Sequence, residues 1–274
     1  MRLRAHIVRA ALVLSLITGV AEAQSTNLRK LETENDALVW RAVGRLDIGR
    51  AGFCTGTLIA PDLVLTAAHC VYDSATRSLY EAGEMTFQAG MTNGVPAALR
   101  EVAQIEAHAG YDPTTPFDED RIRHDVALVR LAEPIPTHEL DPFIVFSGRV
   151  TQGPVSVVSY GRGRAETLSR QNQCQVVGER DRIIAVDCDV TFGSSGAPVF
   201  THLNGRGQIA SIISGGTVTG GRKIAYGMAL PALVADLKRQ MYANKPRPTA
   251  TVRRLGVGGN KSSIGAKFVT PGGS

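Results

Sequence analysis

The amino-acid sequence predicts an all-β protein, a sandwich or barrel, built in two halves and followed by one helix. Three observations carry this. Short apolar runs of strand length recur from Trp40 onward, many rich in β-branched residues and bounded by Gly, Pro, Asn and Asp. No long helical period separates them, which argues against alternating βαβ units. The run EPIPTHELDPF at 133–143 carries three prolines, cannot continue a strand, and reads as a linker between two β units.

In chain order, residues 1–23 read as a secretory signal. MRLRAHIVR is a basic start, AALVLSLITGV an apolar stretch of eleven, and AEA a small-x-small cleavage site. An apolar stretch that short does not span a bilayer, which needs about 20 residues. The mature chain is expected to start near Gln24 and to be secreted or periplasmic. Residues 24–38 are polar and read as a pro-segment or arm. GTLIAP, DLVLTAAH, EMTFQAG, REVAQIEAH and DVALVRL then supply strands of a first half, about 39–132. VSVVSYG, QCQVVG, RIIAVDC, APVFTH, QIASIISGG and IAYGMAL supply a second, about 144–230. In PALVADLKRQMYA at 231–243, Leu233, Leu237 and Met241 recur at i, i+4 and i+8 behind an N-terminal proline, as in an amphipathic helix. Residues 244–274 lack periodicity and read as a disordered basic tail.

Only 5% of the chain is aromatic, so the core must come from Val, Ile, Leu and Ala. The formal charge of +5 divides unevenly. Residues 24–237 hold 19 basic and 24 acidic groups, whereas 238–274 hold eight basic and no acidic ones. The basic balance therefore belongs to the tail, which suits contact with anionic surfaces, and argues for no nucleic-acid-binding fold. Four cysteines in an exported chain imply disulfides. Of three pairings, Cys54–Cys70 with Cys174–Cys188 is preferred because each closes a short loop. A loop of about 15 residues contributes roughly 3 kcal/mol. No C-x2-C spacing supports zinc, and neither a metal nor a cofactor is expected.

Three stretches carry chemistry. LTAAHC at 65–70 ends an apolar strand in His69; HDVALVRL at 124–131 places Asp125 at the head of another; GSSGAPVF at 193–200 sets two serines between glycines. Acyl transfer by a serine needs an imidazole to take its proton, a carboxylate to orient that imidazole, and backbone N–H donors for the oxyanion. Singly each stretch is weak; jointly, in the order His, Asp, Ser, they point to that chemistry.

TAAHC, DVALVRL and GSSGAP resemble the signature stretches of the chymotrypsin-like (trypsin-like) serine proteases, and the likeness runs from about Trp40 to the final helix. The resemblance implies two six-stranded antiparallel β-barrels, a cleft between them and a closing C-terminal helix. It makes His69 the general base, Asp125 the orienter and Ser195 the nucleophile, with the N–H groups of Gly193 and Ser195 as oxyanion hole. It makes Ser214, Gly215 and Gly216 an edge strand for the substrate backbone, and Asp189 the pocket acid that trypsins use for Arg or Lys. A protein or peptide substrate, cleaved by a monomer, follows.

The departures are informative. Ser194 stands where animal digestive members keep an aspartate that captures a new N-terminal ammonium, and GSSGAP looks more like the bacterial branch that includes the glutamyl endopeptidases. The active-site loop is therefore expected to order without N-terminal insertion, although WRAVGR at 40–45 faintly echoes an activation site. Cys188 lies seven residues before Ser195 rather than four, so the pocket wall is bonded differently, and Ile213 stands where a glutamate-binding pocket would want a basic group. His108, His124, His138 and His202 match no ligand spacing, and Asp112, Asp118, Glu119 and Asp120 lack EF-hand spacing. The alternative from another class is an inactive homologue whose cleft only binds.

Overall fold

The computed structural model describes residues 28–49, 51–202 and 205–245. The expected signal segment and nearly all of the basic tail lie outside them. The strands are β1 (Leu28–Lys30), β2 (Val43–Ile48), β3 (Gly52–Ala60), β4 (Leu63–Thr66), β5 (Met85–Ala89), β6 (Ala98–Ala107), β7 (Ala127–Leu131), β8 (Gly153–Gly161), β9 (Arg164–Arg180), β10 (Ile183–Val186), β11 (Pro198–Thr201), β12 (Gln208–Thr219) and β13 (Arg222–Met228). Three helices are α1 (Glu34–Ala37), α2 (Glu119–His124) and α3 (Pro231–Ala243).

The fold is all-β with two closed antiparallel barrels and a C-terminal helix. The first barrel closes in the order β2-β3-β4-β7-β6-β5. The second runs β9-β10-β13-β12-β11-β8 and closes where β8 pairs with β9. Alternation builds each interior: in β5, Met85, Phe87 and Ala89 point inward and are fully buried, while Thr86 and Gln88 do not. Leu46, Leu58, Leu65 and Leu128 complete the first core. Val155, Val157, Ile184 and Val199 build the second, with the disulfide Cys174–Cys188 inside it. Cys54–Cys70 is the other bridge, so both expected pairings form.

The linker after β7 makes no strand. It packs Ile135, Leu140 and Phe143 inward, and Phe143 N–H donates to Leu58 O at 2.9 Å. Phe143 and Phe200 lie 4.6 Å apart, and Trp40 sits 5.2 Å from Phe200, which ties the linker, the start of barrel one and β11 together. α3 lies on barrel one, where Gln104 Nε2 donates to Met241 O and Gln240 Nε2 to Ala107 O.

Two segments depart from the sequence reading. Within 24–38, expected as a polar pro-segment or arm, the described residues 28–38 are built into the fold: β1 adds a seventh strand to β9, and Leu31 and Ala37 are buried. The partner strand lies about 140 residues downstream, beyond any local pattern. β9 also starts well before QCQVVG. Its polar run forms strand because Leu168 and Ser169, on opposite faces, are both fully buried while the backbone pairs on both edges.

Candidate active site

Small residues bring His69 into place. Ala67 and Ala68 are fully buried, so the chain leaving β4 turns tightly through a short 3-10 segment that the Cys54–Cys70 bridge anchors. Asp125 is the C-cap of α2, the helix just before β7. Its carboxylate, 2% exposed, accepts from His69 N–H at 2.8 Å, from His69 Nδ1 at 2.7 Å and from the Ser214 hydroxyl at 2.5 Å. Burial alone would raise the Asp125 carboxyl; the charge of His69, with the hydrogen bonds from His69 and Ser214, outweighs it and holds the group below its ordinary 3.8. Nδ1 faces that carboxylate, which leaves Nε2 as the ring nitrogen directed away from it.

Ser195 lies on the loop between β10 and β11 and is half-buried. Gly193 at φ +92° and Gly196 at φ +75° let that loop turn back on itself. A Cβ on Gly196 would strike Thr55 O and Thr66 Oγ1, so only glycine fits there. Barrel one holds the loop through Thr55, whose N–H donates to Ser195 O at 2.8 Å and whose hydroxyl donates to Gly193 O at 2.8 Å. Barrel two holds it through Gly196 N–H on Ile213 O. Ser194 N–H is taken by Thr191 O and Ala197 N–H by Ser194 O, whereas Gly193 and Ser195 donate to no protein acceptor among the described residues. Two N–H groups are therefore left for an oxyanion.

The cleft has two lobes that share Gly215 and Gly216. One, about 330 Å³, holds His69, Asp125 and Ser214; the other, about 510 Å³, holds Ser195, Ile213, Val190 and Lys223. No hydrogen bond joins Ser195 to His69 among the described residues, a looseness common before substrate arrives. Beyond Ile213, β12 pairs on one side only, with β13, so residues 214–216 offer a free edge to an extended peptide.

Asp189 does not occupy the expected place. Its carboxylate binds Lys223 Nζ at 2.5 Å and its N–H donates to Gln171 Oε1, and Lys223 rather than Asp189 lines the larger lobe. The Cys174–Cys188 bridge holds the preceding residue in the second core. Lys223 lies 34 residues away on β13 and Thr55 beside Cys54, and neither carries a sequence signal for these roles.

The acids of 112–120 serve local structure. Asp112 accepts from Thr114, Asp118 caps α2, and Glu119 pairs with Arg123 and Arg180. Cys54, His69 and Cys70 lie close enough to resemble a metal site, yet both sulfurs are spent in a disulfide and offer no thiolate.

Comparisons with known proteins bear on the family and the fold. A profile of the family described as Trypsin matches residues 32–235. The chain is 36% identical over 114 residues to the CLIP domain-containing serine protease HP8 of Bombyx mori, covering 37% of this chain and 30% of that protein. It is 32% identical over 112 residues to Trypsin of Sarcophaga bullata, covering 40% of this chain and 39% of that protein. The matched stretches thus span well under half the length of these relatives. Among solved structures, a Glu endopeptidase in complex with MPD superposes with a TM-score of 0.66 over 79% of this chain and 97% of that one, at 20% identity, a likeness of fold.

Proposed function

The chain belongs to the trypsin family, and on that premise we propose that it is an exported serine endopeptidase using His69, Asp125 and Ser195. The observation that carries the reading is the hydrogen-bonded row Ser214–Asp125–His69 beside a serine loop with two free N–H groups. His69 Nε2 takes the Ser195 Oγ proton as that oxygen attacks the scissile carbonyl, and Asp125 stabilises the imidazolium. The oxyanion receives the N–H groups of Gly193 and Ser195; one such donor is worth about 10²–10³ in kcat. Collapse passes the proton from His69 to the leaving amine, and water then releases the acyl group by the same route.

Specificity follows from the larger lobe. With Asp189 neutralised by Lys223, and Val190, Ile213, Val218 and Ile224 on its walls, it favours an uncharged apolar P1 side chain. An Arg or Lys would meet Lys223 first, and an acidic side chain would have to displace Asp189.

Fluorophosphonate labelling of the purified protein tests the reaction class. Label retained in Ser194→Ala and lost in Ser195→Ala is expected. A folded wild type that takes no label would overturn the reading in favour of a cleft that only binds.

A further inference from the structure

Arg164 is an unusual group to bury. It is 8% exposed, and no carboxylate lies within ion-pair distance of it among the described residues. Three neutral acceptors hold its guanidinium: Ser159 O at 2.5 Å, Ser159 Oγ at 2.9 Å and Ser194 Oγ at 3.0 Å. Burial pushes it down to about 10, against the distant pull of Asp189, and it remains a cation at neutral pH. An uncompensated buried charge costs several kcal/mol, so a fold that keeps one without a counter-ion needs a reason beyond packing.

The reason lies in what Ser194 holds. Its hydroxyl accepts from Arg164 and donates to Tyr160 O at 3.0 Å, and it faces Thr191 N–H at 3.4 Å. Its own N–H closes the turn onto Thr191 O at 2.9 Å. Ser194 is thus tied to barrel two by side chain and backbone alike, and its neighbours on either side are Gly193 and Ser195. We propose that Arg164 is a positioning residue that sets the oxyanion loop in its reactive shape through Ser194, making activity independent of a freed N-terminus. The proposal rests on the proteolytic reading above. Left unneutralised, the cation also adds positive potential beside the turn where negative charge develops, an advantage that a carboxylate partner would cancel.

The test compares wild type, Arg164→Met and Ser194→Ala on a chromogenic peptide, with rates expressed per titrated active site and thermal unfolding measured alongside. Arg164→Met should lower kcat about 10–100-fold with KM within about threefold, as expected for lost transition-state stabilisation. Ser194→Ala should lower kcat in the same direction, about 3–10-fold. Because it removes one hydroxyl and no charge, it decides the matter if Arg164→Met does not fold. Wild type beginning at Gln24 and the same chain extended in front of Gln24 should share one kcat within about twofold. A merely structural Arg164 would lower the melting temperature and leave kcat per titrated site unchanged; that result overturns the proposal, as does activity that appears only once the chain starts farther downstream. Wild type that takes no fluorophosphonate would sink the proteolytic reading itself. Labelled wild type with unaffected variants would sink this proposal alone.

Discussion

Thr55→Val removes one oxygen and keeps the shape of the side chain, and it should separate clamping of the nucleophile loop from packing. The residue is fully buried on β3 in barrel one, yet both hydrogen bonds of its hydroxyl reach barrel two. It donates to Gly193 O at 2.8 Å and accepts from Tyr160 N–H at 3.1 Å. Valine would leave a carbonyl and an N–H without partners, at about 1–3 kcal/mol each, so a loss of roughly 2–6 kcal/mol is expected. The Gly193–Ser194 peptide, directly after the Gly193 N–H, also loses the bond that holds it. If the turn relaxes and the Gly193 N–H swings off the oxyanion, kcat falls toward the 10²–10³ range seen for a missing donor. Urea unfolding with the disulfides intact measures the first effect, and kcat per titrated site the second. Thr55→Ser keeps the hydroxyl and should stay within about threefold of wild-type kcat, since only a methyl group is lost. A Thr55→Val protein with wild-type kcat would refute the clamp, and one unfolding at the wild-type urea concentration would refute the assignment of the two hydrogen bonds.

Further outcomes follow from the same geometry. Lys223→Met should free Asp189 and raise kcat/KM for P1 Arg relative to P1 Val by about tenfold or more, the worth of a hydrogen bond to a charged group, while the partly exposed pair leaves stability within about 1 kcal/mol; a P1 library reads it, and an unchanged preference would mean Asp189 cannot turn toward the cavity. Folding lowers the Asp125 carboxyl below its ordinary 3.8, so its contribution is present above about pH 4 and is lost as pH falls through the folded value. Unfolding midpoints measured from pH 6 down to 2 should therefore drop less steeply in Asp125→Asn. Gly196→Ala places a Cβ against Thr55 O, Thr66 Oγ1 and Ala67 N at φ +75°, and should abolish labelling of Ser195 while lowering the melting temperature. Opening Cys174–Cys188 by a double serine substitution should cost roughly 3 kcal/mol in denaturant unfolding and broaden the P1 preference, because the bridge anchors the chain just ahead of Val190 and Thr191, which line the larger lobe.

Much of the architecture was legible because it rests on short-range rules. Strand-length apolar runs, a proline-rich break at 133–143 and the spacing of Leu233, Leu237 and Met241 place two β halves and a helix in order. The order of the three stretches, with the family resemblance they carry, marked residues that the fold brings to one cleft: His69 in the 3-10 turn after β4, Asp125 at the C-cap of α2 and Ser195 on the loop before β11. The two short cysteine loops likewise closed as local spacing suggested.

What only the tertiary structure decided is which polar groups meet across long separations. Lys223 claims Asp189, Thr55 reaches Gly193 from the other barrel, Arg164 reaches Ser194, and the polar segment at 28–30 becomes a strand on β9. None of these pairs shares a period or a motif. A hydrogen bond is decided within about 3 Å and by direction, and that precision appears only once both barrels are closed. Composition and periodicity record which face of an element is apolar. They carry no address for the particular donor that a buried oxygen will find, and in this protein those donors shape the nucleophile loop and its pocket.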